Sequence, residues 1–516
     1  MVAIMIRANT RKGTVLRFRQ RRFAGGDRVV SEHVAAHLRM LFACALACSA
    51  SAAATCEGLA SLAIEHVAIT SAAPVPSADR PAYCRVLAVA TPVPDSEIHL
   101  EIRLPDPKLW NGRFLGTGNG GYSGALSYPQ MDAALRQGYA TAGSDTGHSG
   151  ADLVFGNGHP EKIADWAWRA VHVMTQAARL VIASYYGRAA AHSYFAGCST
   201  GGQQALTEAQ RFPSDYDGIV AGAPGINRVR LNVGFLWNWR ALHDGGADLL
   251  PTSKLPMLHR AVLAACDALD GLEDGIISDP RRCRFDPGTL LCSGAADESC
   301  LTKPQVHAVR RIYDGARNPR TGERLFAGWV RGSELGWSAY FVGRSEPARL
   351  DFWRYWVFHN PGWDPSTFDF DKDVARADGE TASVASTNAD LTAFRDGGGK
   401  IVMYQGWADP VVPPENSIDY YEKVRRTVGE TAGFFRLFLV PGMSHCGGGP
   451  GPNTFDALDA LDRWVTLGVA PDRIVASHST DGKVDAMRPL CVWPQQAHWN
   501  GSGHADQAAQ FACRTD

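Results

Sequence analysis

Three features that would assign the chain to a large class of proteins are missing from its sequence. Charge of one sign does not dominate, because 51 lysines and arginines face 53 aspartates and glutamates and leave a formal net charge of −2. This balance predicts no nucleic-acid or other polyanionic partner. No apolar run is long enough for a membrane span. No Cys-x-x-Cys pair occurs, which disfavours a zinc site.

Length and apolar content set wide limits on the architecture. The chain has 516 residues, and 45% of them are hydrophobic, which is enough to bury a large core. We expect either one large domain with an insertion or two to three domains. The sequence shows no internal repeat.

The first 54 residues are typical of a segment that is removed during export. An apolar run, MLFACALACSASAAA (residues 40–54), follows Arg39 and ends in small residues. Cleavage after Ala54 satisfies the small-x-small rule of secretory signals. We therefore predict an N-terminal extension and signal peptide over residues 1–54, with translation from Met40 or a residue nearby upstream. The mature protein is expected to be secreted or periplasmic.

Three alternatives stay open for this segment. Cys48 follows the tripeptide ALA and could carry a lipid, as in a lipoprotein. Arg21 and Arg22 could belong to a twin-arginine export signal, although they lie far from the apolar run. The residues before the apolar run could also be a genuine basic extension.

The cysteine content agrees with export. Of the 12 cysteines, Cys44 and Cys48 lie within the predicted signal, which leaves ten. An even number of cysteines in an exported chain predicts disulfide bonds.

Short apolar runs alternate with helical patterns along the rest of the chain. Helical spacing is present in the segments that begin at Asp165 and at Phe455. Strands alternating with helices predict a mostly parallel sheet covered on both faces, which is an α/β fold. The predicted buried strands are RFLGTG, YATAGSD, SYFAG, GIVAGAP, KIVMYQG and RLFLVPG.

The pattern changes over residues 225–391, where tryptophan, aspartate, proline and cysteine crowd together and the strand signals fade. We interpret this stretch as an inserted lid domain. The catalytic domain then consists of residues 55–224 and 392–516.

The stretch YFAGCSTGGQQAL contains Ser199 in a Gly-x-Ser-x-Gly turn between a predicted strand and a predicted helix. This arrangement is the nucleophile elbow of α/β-hydrolases, in which the glycines permit a sharp turn that exposes the serine oxygen. The fold requires an acid and then a histidine downstream, each after a strand. Asp409 and His445 occupy those places. Either residue alone would more simply be a cap or a surface group, but the three in this order predict a catalytic triad.

The triad predicts hydrolysis of an ester through an acyl-enzyme. His445 accepts the Ser199 proton and passes it to the leaving alcohol, while Asp409 orients the imidazole. Two backbone N–H groups must stabilise the oxyanion. We assign them to Thr200 and to Gly121, which lies in the glycine-rich turn GTGNGGYSG. A nucleotide site in that turn is disfavoured because no phosphate-binding helix pattern follows it.

Cys198 directly precedes the serine, and Cys446 directly follows the histidine. Since Ser199 and His445 must lie within hydrogen-bonding distance, their neighbours must also be close. We therefore predict a Cys198–Cys446 disulfide in the exported protein. Two buried free thiols are the alternative.

The chain resembles the tannase and feruloyl esterase family, because it has Cys-Ser, Asp and His-Cys in this order. That family includes the mono-hydroxyethyl terephthalate hydrolases. The resemblance extends from Cys56 to Cys513 and is also carried by RFPSDYDGIVAGAPG, CDALDGLEDGI and FLVPGMSHCGGGPG. It implies a carboxylic-ester hydrolase with four further disulfides: Cys56–Cys84, Cys266–Cys283, Cys292–Cys300 and Cys491–Cys513.

Carboxylates are concentrated in CDALDGLEDGIISDPRRC. Hard oxygen ligands at this density suit calcium, although the spacing is not that of an EF-hand and metal-free Asp-Gly turns are the alternative. The resemblance implies a structural calcium ion that braces the lid. Its implied ligands are the side chains of Asp267, Asp270 and Asp274 and the carbonyls of Leu272 and Ile276.

The expected substrate is a small ester of an aromatic acid. Flat apolar walls in the lid would bury an aromatic acyl group, or the same side chains would form the core of the lid. The few uncharged polar side chains over residues 336–364 favour feruloyl-type esters over gallate esters. Terephthalate-type relatives bind a free substrate carboxylate with a lid arginine. We match no arginine over residues 344–354 of this chain to that residue. The lid aromatics that would form either the pocket walls or the lid core are Trp337, Tyr340, Phe341, Trp353 and Trp356.

Two other functions are compatible with parts of this pattern. A catalytically silent, calcium-stabilised binding protein could share the fold, although the complete triad argues against it. A serine peptidase would use the same triad, and failure to cleave an anilide that matches a cleaved ester would reject it. The sequence does not indicate an oligomeric state.

Overall fold

The short apolar runs of the sequence become neighbouring strands of one sheet. The computed structural model describes residues 53–76, 80–243 and 248–515. Nine strands lie in the order β1-β2-β3-β5-β4-β6-β7-β8-β9. They are β1 (Val67–Val75), β2 (Tyr83–Ala90), β3 (Ile98–Pro105), β4 (Arg113–Thr117), β5 (Ala140–Ser144), β6 (His192–Cys198), β7 (Gly218–Gly222), β8 (Lys400–Gly406) and β9 (Phe435–Val440).

Strands β5, β4, β6, β7, β8 and β9 are parallel, and they are the six that the sequence predicts. The first three strands pair antiparallel at one end of the sheet. Sequence reasoning missed them. β1 is mostly exposed or half-buried, and β3 alternates apolar residues with His99, Glu101 and Arg103, so both lack the continuous apolar runs of the central strands.

Helices cover both faces of the sheet, as expected for an α/β-hydrolase. Consecutive residues of one strand enter different cores: Phe195 packs on one face and Tyr194 on the other. The helices are α1 (Tyr128–Arg136), α2 (Pro160–Ala164), α3 (Ala170–Tyr186), α4 (Thr200–Arg211), α5 (Arg228–Leu242), α6 (Leu255–Cys266), α7 (Lys303–Asp314), α8 (Asp373–Glu380), α9 (Thr392–Asp396), α10 (Pro414–Val428) and α11 (Ala457–Leu467).

Between β7 and β8, the described residues form helices α5 to α9 and short helical turns but no strand of the main sheet. This region has its own aromatic core, which also contacts Tyr122 and Trp166. The aromatics that the sequence offers as pocket walls lie mostly in that core. Trp337, Phe341 and Trp353 are completely buried. These three side chains therefore pack inside the aromatic core of this region and present no open wall to a ligand.

The C-terminal part of the chain adds two antiparallel pairs. Strand β10 (Arg473–Thr480) pairs with β11 (Lys483–Cys491), and β12 (Gln496–Trp499) pairs with β13 (Phe511–Arg514). Among the helices that the structure describes, none is both long and apolar enough to cross a membrane.

All ten cysteines from Cys56 onward are joined in disulfides. The pairs are those inferred from the triad and implied by the family resemblance: Cys56–Cys84, Cys198–Cys446, Cys266–Cys283, Cys292–Cys300 and Cys491–Cys513. Cys44, Cys48 and the apolar run of the predicted signal, up to residue 52, lie outside the described residues, as do Met40 and the Arg21-Arg22 pair.

Candidate active site

Ser199 occupies a sharp turn between β6 and α4. Its backbone has φ 63° and ψ −115°, a left-handed conformation that non-glycine residues rarely adopt. Glycines on both sides make the turn possible. A Cβ atom on Gly197 would lie 2.6 Å from the Gly201 backbone, and one on Gly202 would lie 2.3 Å from the Gly222 carbonyl oxygen. This packing holds the serine at the carboxyl end of a central strand, as a nucleophile elbow requires.

His445 and Asp409 form a hydrogen-bonded pair. The Nδ1 atom of His445 lies 2.7 Å from Oδ2 of Asp409, whose side chain is fully buried. The other carboxylate oxygen accepts hydrogen bonds from the N–H groups of Val411 at 2.7 Å and Val412 at 3.0 Å. With the carboxylate fixed in this way, the proton of a neutral imidazole stays on Nδ1 and leaves Nε2 as a proton acceptor.

Gln405 supports this pair and was not anticipated from the sequence. Its Nε2 donates to Oδ2 of Asp409 at 2.8 Å, while its Oε1 accepts from the hydroxyl of Ser417 at 2.9 Å. The sequence gives one indication of this role: Gln405 is a polar residue near the end of β8, after the apolar residues 401–403. Gln405 is fully buried, so its contacts fix the orientation of the Asp409 carboxylate.

The Cys198–Cys446 disulfide connects the two loops that carry Ser199 and His445. The Cα atoms of the two cysteines lie 5.9 Å apart, although 248 positions separate them in the sequence. In the chain-entropy model, closing a loop of this length stabilises the folded state by about 5–6 kcal/mol. The covalent link places the residues next to Ser199 and the residues next to His445 in contact.

Thr200 and Gly121, the two residues assigned to the oxyanion hole, lie side by side. The Thr200 hydroxyl donates to the Gly121 carbonyl oxygen at 2.6 Å, and Gly121 has a left-handed φ of 58°. Asn119 stabilises the turn by donating from its side chain to the carbonyls of Ala125 and Ser144. The glycine-rich turn is therefore held against the N-terminus of α4, where backbone N–H groups point away from the helix.

Two arginines that sequence reasoning missed lie beside this turn. Arg228 is buried and donates to the Thr200 hydroxyl at 2.8 Å and to Gln203, and burial lowers its pKa. The guanidinium carbon atoms of Arg228 and Arg349 each lie 5.3 Å from the centre of the Tyr122 ring. A Cβ atom on Gly121 would lie 3.2 Å from Nη2 of Arg349.

No carboxylate of the described chain forms an ion pair with Arg228 or Arg349. Arg349 is only half-buried, and its backbone has a left-handed φ of 62°. A cation held in this way beside the assigned oxyanion hole favours negative charge in the site. From the sequence we match no arginine of residues 344–354 to a substrate carboxylate. The structure nevertheless places Arg349, which belongs to that segment, next to Gly121.

The acidic loop, residues 267–276, offers only oxygen ligands, which fits a hard cation such as calcium. Its carboxylates already have partners: Asp267 accepts from the N–H groups of Gly275 and Ile276, Asp270 accepts from Leu272 N–H, and Asp274 pairs with Arg488 at 2.6 Å. The structure does not gather these three carboxylates around one point. The three-ligand group that the described residues do form is elsewhere, at His172, Glu208 and Asp215.

Comparison with known proteins identifies the family. Residues 84–514 match the family model described as tannase and feruloyl esterase. An uncharacterised esterase of Xanthomonas campestris pv. campestris is 38% identical, and the match covers 91% of this chain and 92% of that protein. The mono(2-hydroxyethyl) terephthalate hydrolase of Piscinibacter sakaiensis is 34% identical, with 87% and 88% covered.

The fold comparison agrees. The crystal structure of feruloyl esterase B from Aspergillus oryzae superposes with a TM-score of 0.84 and is 31% identical, covering 89% of this chain and 99% of that one. This likeness confirms the α/β-hydrolase fold predicted from the sequence. The chain belongs to the tannase and feruloyl esterase family, and it is a carboxylic-ester hydrolase.

Proposed function

We propose that the protein hydrolyses esters of aromatic acids through an acyl-enzyme on Ser199. The buried Asp409 carboxylate that orients His445 is the observation that carries the proposal. As the Ser199 hydroxyl attacks the ester carbonyl, His445 Nε2 accepts its proton and then donates it to the leaving alcohol. A water molecule, deprotonated by the same nitrogen, attacks the acyl-enzyme and releases the acid.

The backbone N–H groups of Thr200 and Gly121 are proposed to stabilise the oxyanion of each tetrahedral intermediate. Their mutual hydrogen bond supports this assignment because it keeps the two residues together. Arg228 contributes indirectly: it binds the Thr200 hydroxyl and fixes the first turn of α4. Export is proposed as well, and the complete pairing of the ten cysteines supports it.

Feruloyl-type esters are the proposed substrates. A relative named feruloyl esterase B shares the fold and 31% of the aligned residues. The test is a panel of methyl ferulate, methyl gallate, chlorogenate and the terephthalate monoester, assayed with the mature enzyme. We expect the highest kcat/KM with methyl ferulate or chlorogenate. A much higher value for methyl gallate would make the enzyme a tannase, and no cleavage of any member would refute the substrate class.

The position of Arg349 favours a second candidate, hydrolysis of an aromatic monoester that keeps a free carboxylate. A relative is named mono(2-hydroxyethyl) terephthalate hydrolase. If the Arg349 guanidinium binds such a carboxylate, Arg349→Gln should lower kcat/KM for the terephthalate monoester by about 10-fold or more, since a charged hydrogen bond contributes roughly 1.5–3 kcal/mol. The uncharged methyl benzoate should be affected much less.

Arg344→Gln is the matched control, because Arg344 is an exposed arginine of the same lid segment. It should leave both rates unchanged. Equal losses for the charged and uncharged esters in Arg349→Gln would contradict a role in carboxylate binding.

We propose that the acidic loop binds calcium through Asp267, Asp270, Asp274 and the carbonyls of Leu272 and Ile276. Bound calcium would neutralise the loop and brace the lid, and it takes no part in the serine chemistry. Chelation or Asp270→Ala should therefore lower the Tm while changing kcat at room temperature only slightly. Glu298→Ala, at an exposed lid position, should change neither. Identical melting curves with and without chelator would favour metal-free Asp-Gly turns.

A further inference from the structure

Three potential metal ligands converge on the side of the catalytic domain that carries α3 and α4. His172 lies on α3, Glu208 on α4, and Asp215 on the loop before β7. One ligand atom from each lies within 4.8 Å of the others. We call these residues the histidine–carboxylate cluster. Glu208 is nine residues from Ser199, or about 13 Å along the helix axis, and the cluster is separate in sequence from the acidic loop of the lid.

Glu208 is the unusual member of the cluster. Its side chain is 1% exposed, and neither carboxylate oxygen has a hydrogen-bond partner in the described structure. A buried carboxylate without a donor is strongly destabilising. Burial raises the pKa of Glu208, and so does the Asp215 carboxylate, with which a protonated Glu208 shares a hydrogen bond. The side chain therefore requires either a bound cation or a proton.

The other two members are arranged as metal ligands commonly are. The Nδ1 atom of His172 lies 2.6 Å from Oδ2 of Asp215, and Gln176 donates to Oδ1 of Asp215 at 2.8 Å. A hydrogen bond from outside the ligand set is typical of metal-binding carboxylates. His172 is 31% exposed on its side chain, whereas Asp215 is 3% exposed. The imidazole edge thus provides access from solvent to an otherwise buried site.

We propose that the histidine–carboxylate cluster binds one zinc ion. One imidazole nitrogen, two carboxylate oxygens and a water molecule would complete a tetrahedral site with metal–ligand distances of about 2.0–2.2 Å. The two carboxylates carry the two negative charges that balance Zn²⁺, one of which the Arg179 guanidinium, 3.9 Å from Oδ1 of Asp215, also partly offsets. The ion occupies the space between His172 and Asp215 in place of their direct hydrogen bond. Small side-chain rotations suffice, since all three ligands are already close.

Sequence motifs for metal binding do not reveal this site, because it contains no cysteine and its ligands are not closely spaced in the chain. The zinc ion would join α3, the end of α4 and the loop before β7. Helix α4 begins immediately after the nucleophile, so the ion would brace the element that positions Ser199. It would be too far away to contact the substrate, and its role is structural.

Zinc binding can be measured directly on the mature enzyme. The protein is treated with chelator, calcium is restored in excess to occupy the lid, and Zn²⁺ is titrated by calorimetry with metal content checked by mass spectrometry. We expect one zinc ion per chain, a higher Tm on binding, and the absorption bands of tetrahedral Co²⁺ when cobalt replaces zinc. Glu208→Gln and His172→Gln should each weaken binding by at least about 100-fold, since even changes to residues around a ligand cost 10- to 100-fold.

Glu415→Gln is the matched control: Glu415, on α10, is half-buried and also has one buried carboxylate oxygen without a hydrogen-bond partner, and this change should leave zinc binding intact. His172 is partly exposed, so His172→Gln tests the proposal even if Glu208→Gln does not fold. Absence of stoichiometric zinc, or equal binding by wild type and both cluster variants, overturns the proposal. A Glu208→Gln protein that is as stable as a zinc-free wild type would then indicate a proton shared between Glu208 and Asp215.

Discussion

Ser199→Ala should reduce kcat for aromatic esters by about 10⁴-fold or more, which is the loss expected when the nucleophile of a triad is removed. Alanine has no oxygen to form the acyl-enzyme, whereas the ester can still bind and the proposed oxyanion-hole donors at Thr200 and Gly121 remain. The fold should be retained, because the turn is held by glycine packing and by the Cys198–Cys446 disulfide. Steady-state hydrolysis of methyl ferulate and a melting curve measure both properties.

Ser193→Ala provides the control for this change. Ser193 is a buried serine on the same strand, β6, but lies away from its carboxyl end. This variant should keep wild-type kcat. Residual turnover within 10-fold of wild type in Ser199→Ala would remove Ser199 as the nucleophile.

The second large effect is expected for Asp409→Asn. Because Val411 and Val412 donate to one carboxylate oxygen, the asparagine oxygen should occupy that position and turn its amide toward His445. The imidazole must then accept at Nδ1 and carry its proton on Nε2, where it cannot accept the Ser199 proton. We expect kcat to fall by about 10⁴-fold, as for the same change in other triads.

Asp396→Asn, at an exposed carboxylate at the end of α9, should leave kcat unchanged. The kcat values of wild type and Asp409→Asn can be compared only if the two proteins have melting temperatures within a few degrees of each other. A stable Asp409→Asn enzyme with near-normal kcat would show that another group orients the histidine.

Features that depend on local sequence could be predicted well. The parallel strands are short and apolar throughout, and the elbow is defined by glycines whose spacing leaves little choice of backbone. Asp409 and His445 follow their strands directly, so chain order alone located them. Cys198 and Cys446 were paired because their neighbours have to meet.

Contacts that no motif in the sequence indicates could not be predicted. Arg349 lies beside Gly121, and its own backbone has a left-handed φ. No sequence pattern around Arg349 indicates this conformation. Gln405 is one polar residue near the end of strand β8, and its role is visible only in the structure, where the Asp409 carboxylate contacts it. His172, Glu208 and Asp215 belong to different elements, and each alone is an unremarkable residue of a helix or loop.

Trapping the acyl-enzyme tests the central claim most directly. The enzyme is mixed with excess p-nitrophenyl ester of an aromatic acid, quenched in acid within the first turnover, and digested for peptide mass mapping. We predict a burst of p-nitrophenol and the added mass of the acyl group on Ser199, with neither in Ser199→Ala. Hydrolysis without any acylated residue, or with the acyl group on a residue other than Ser199, would contradict the mechanism.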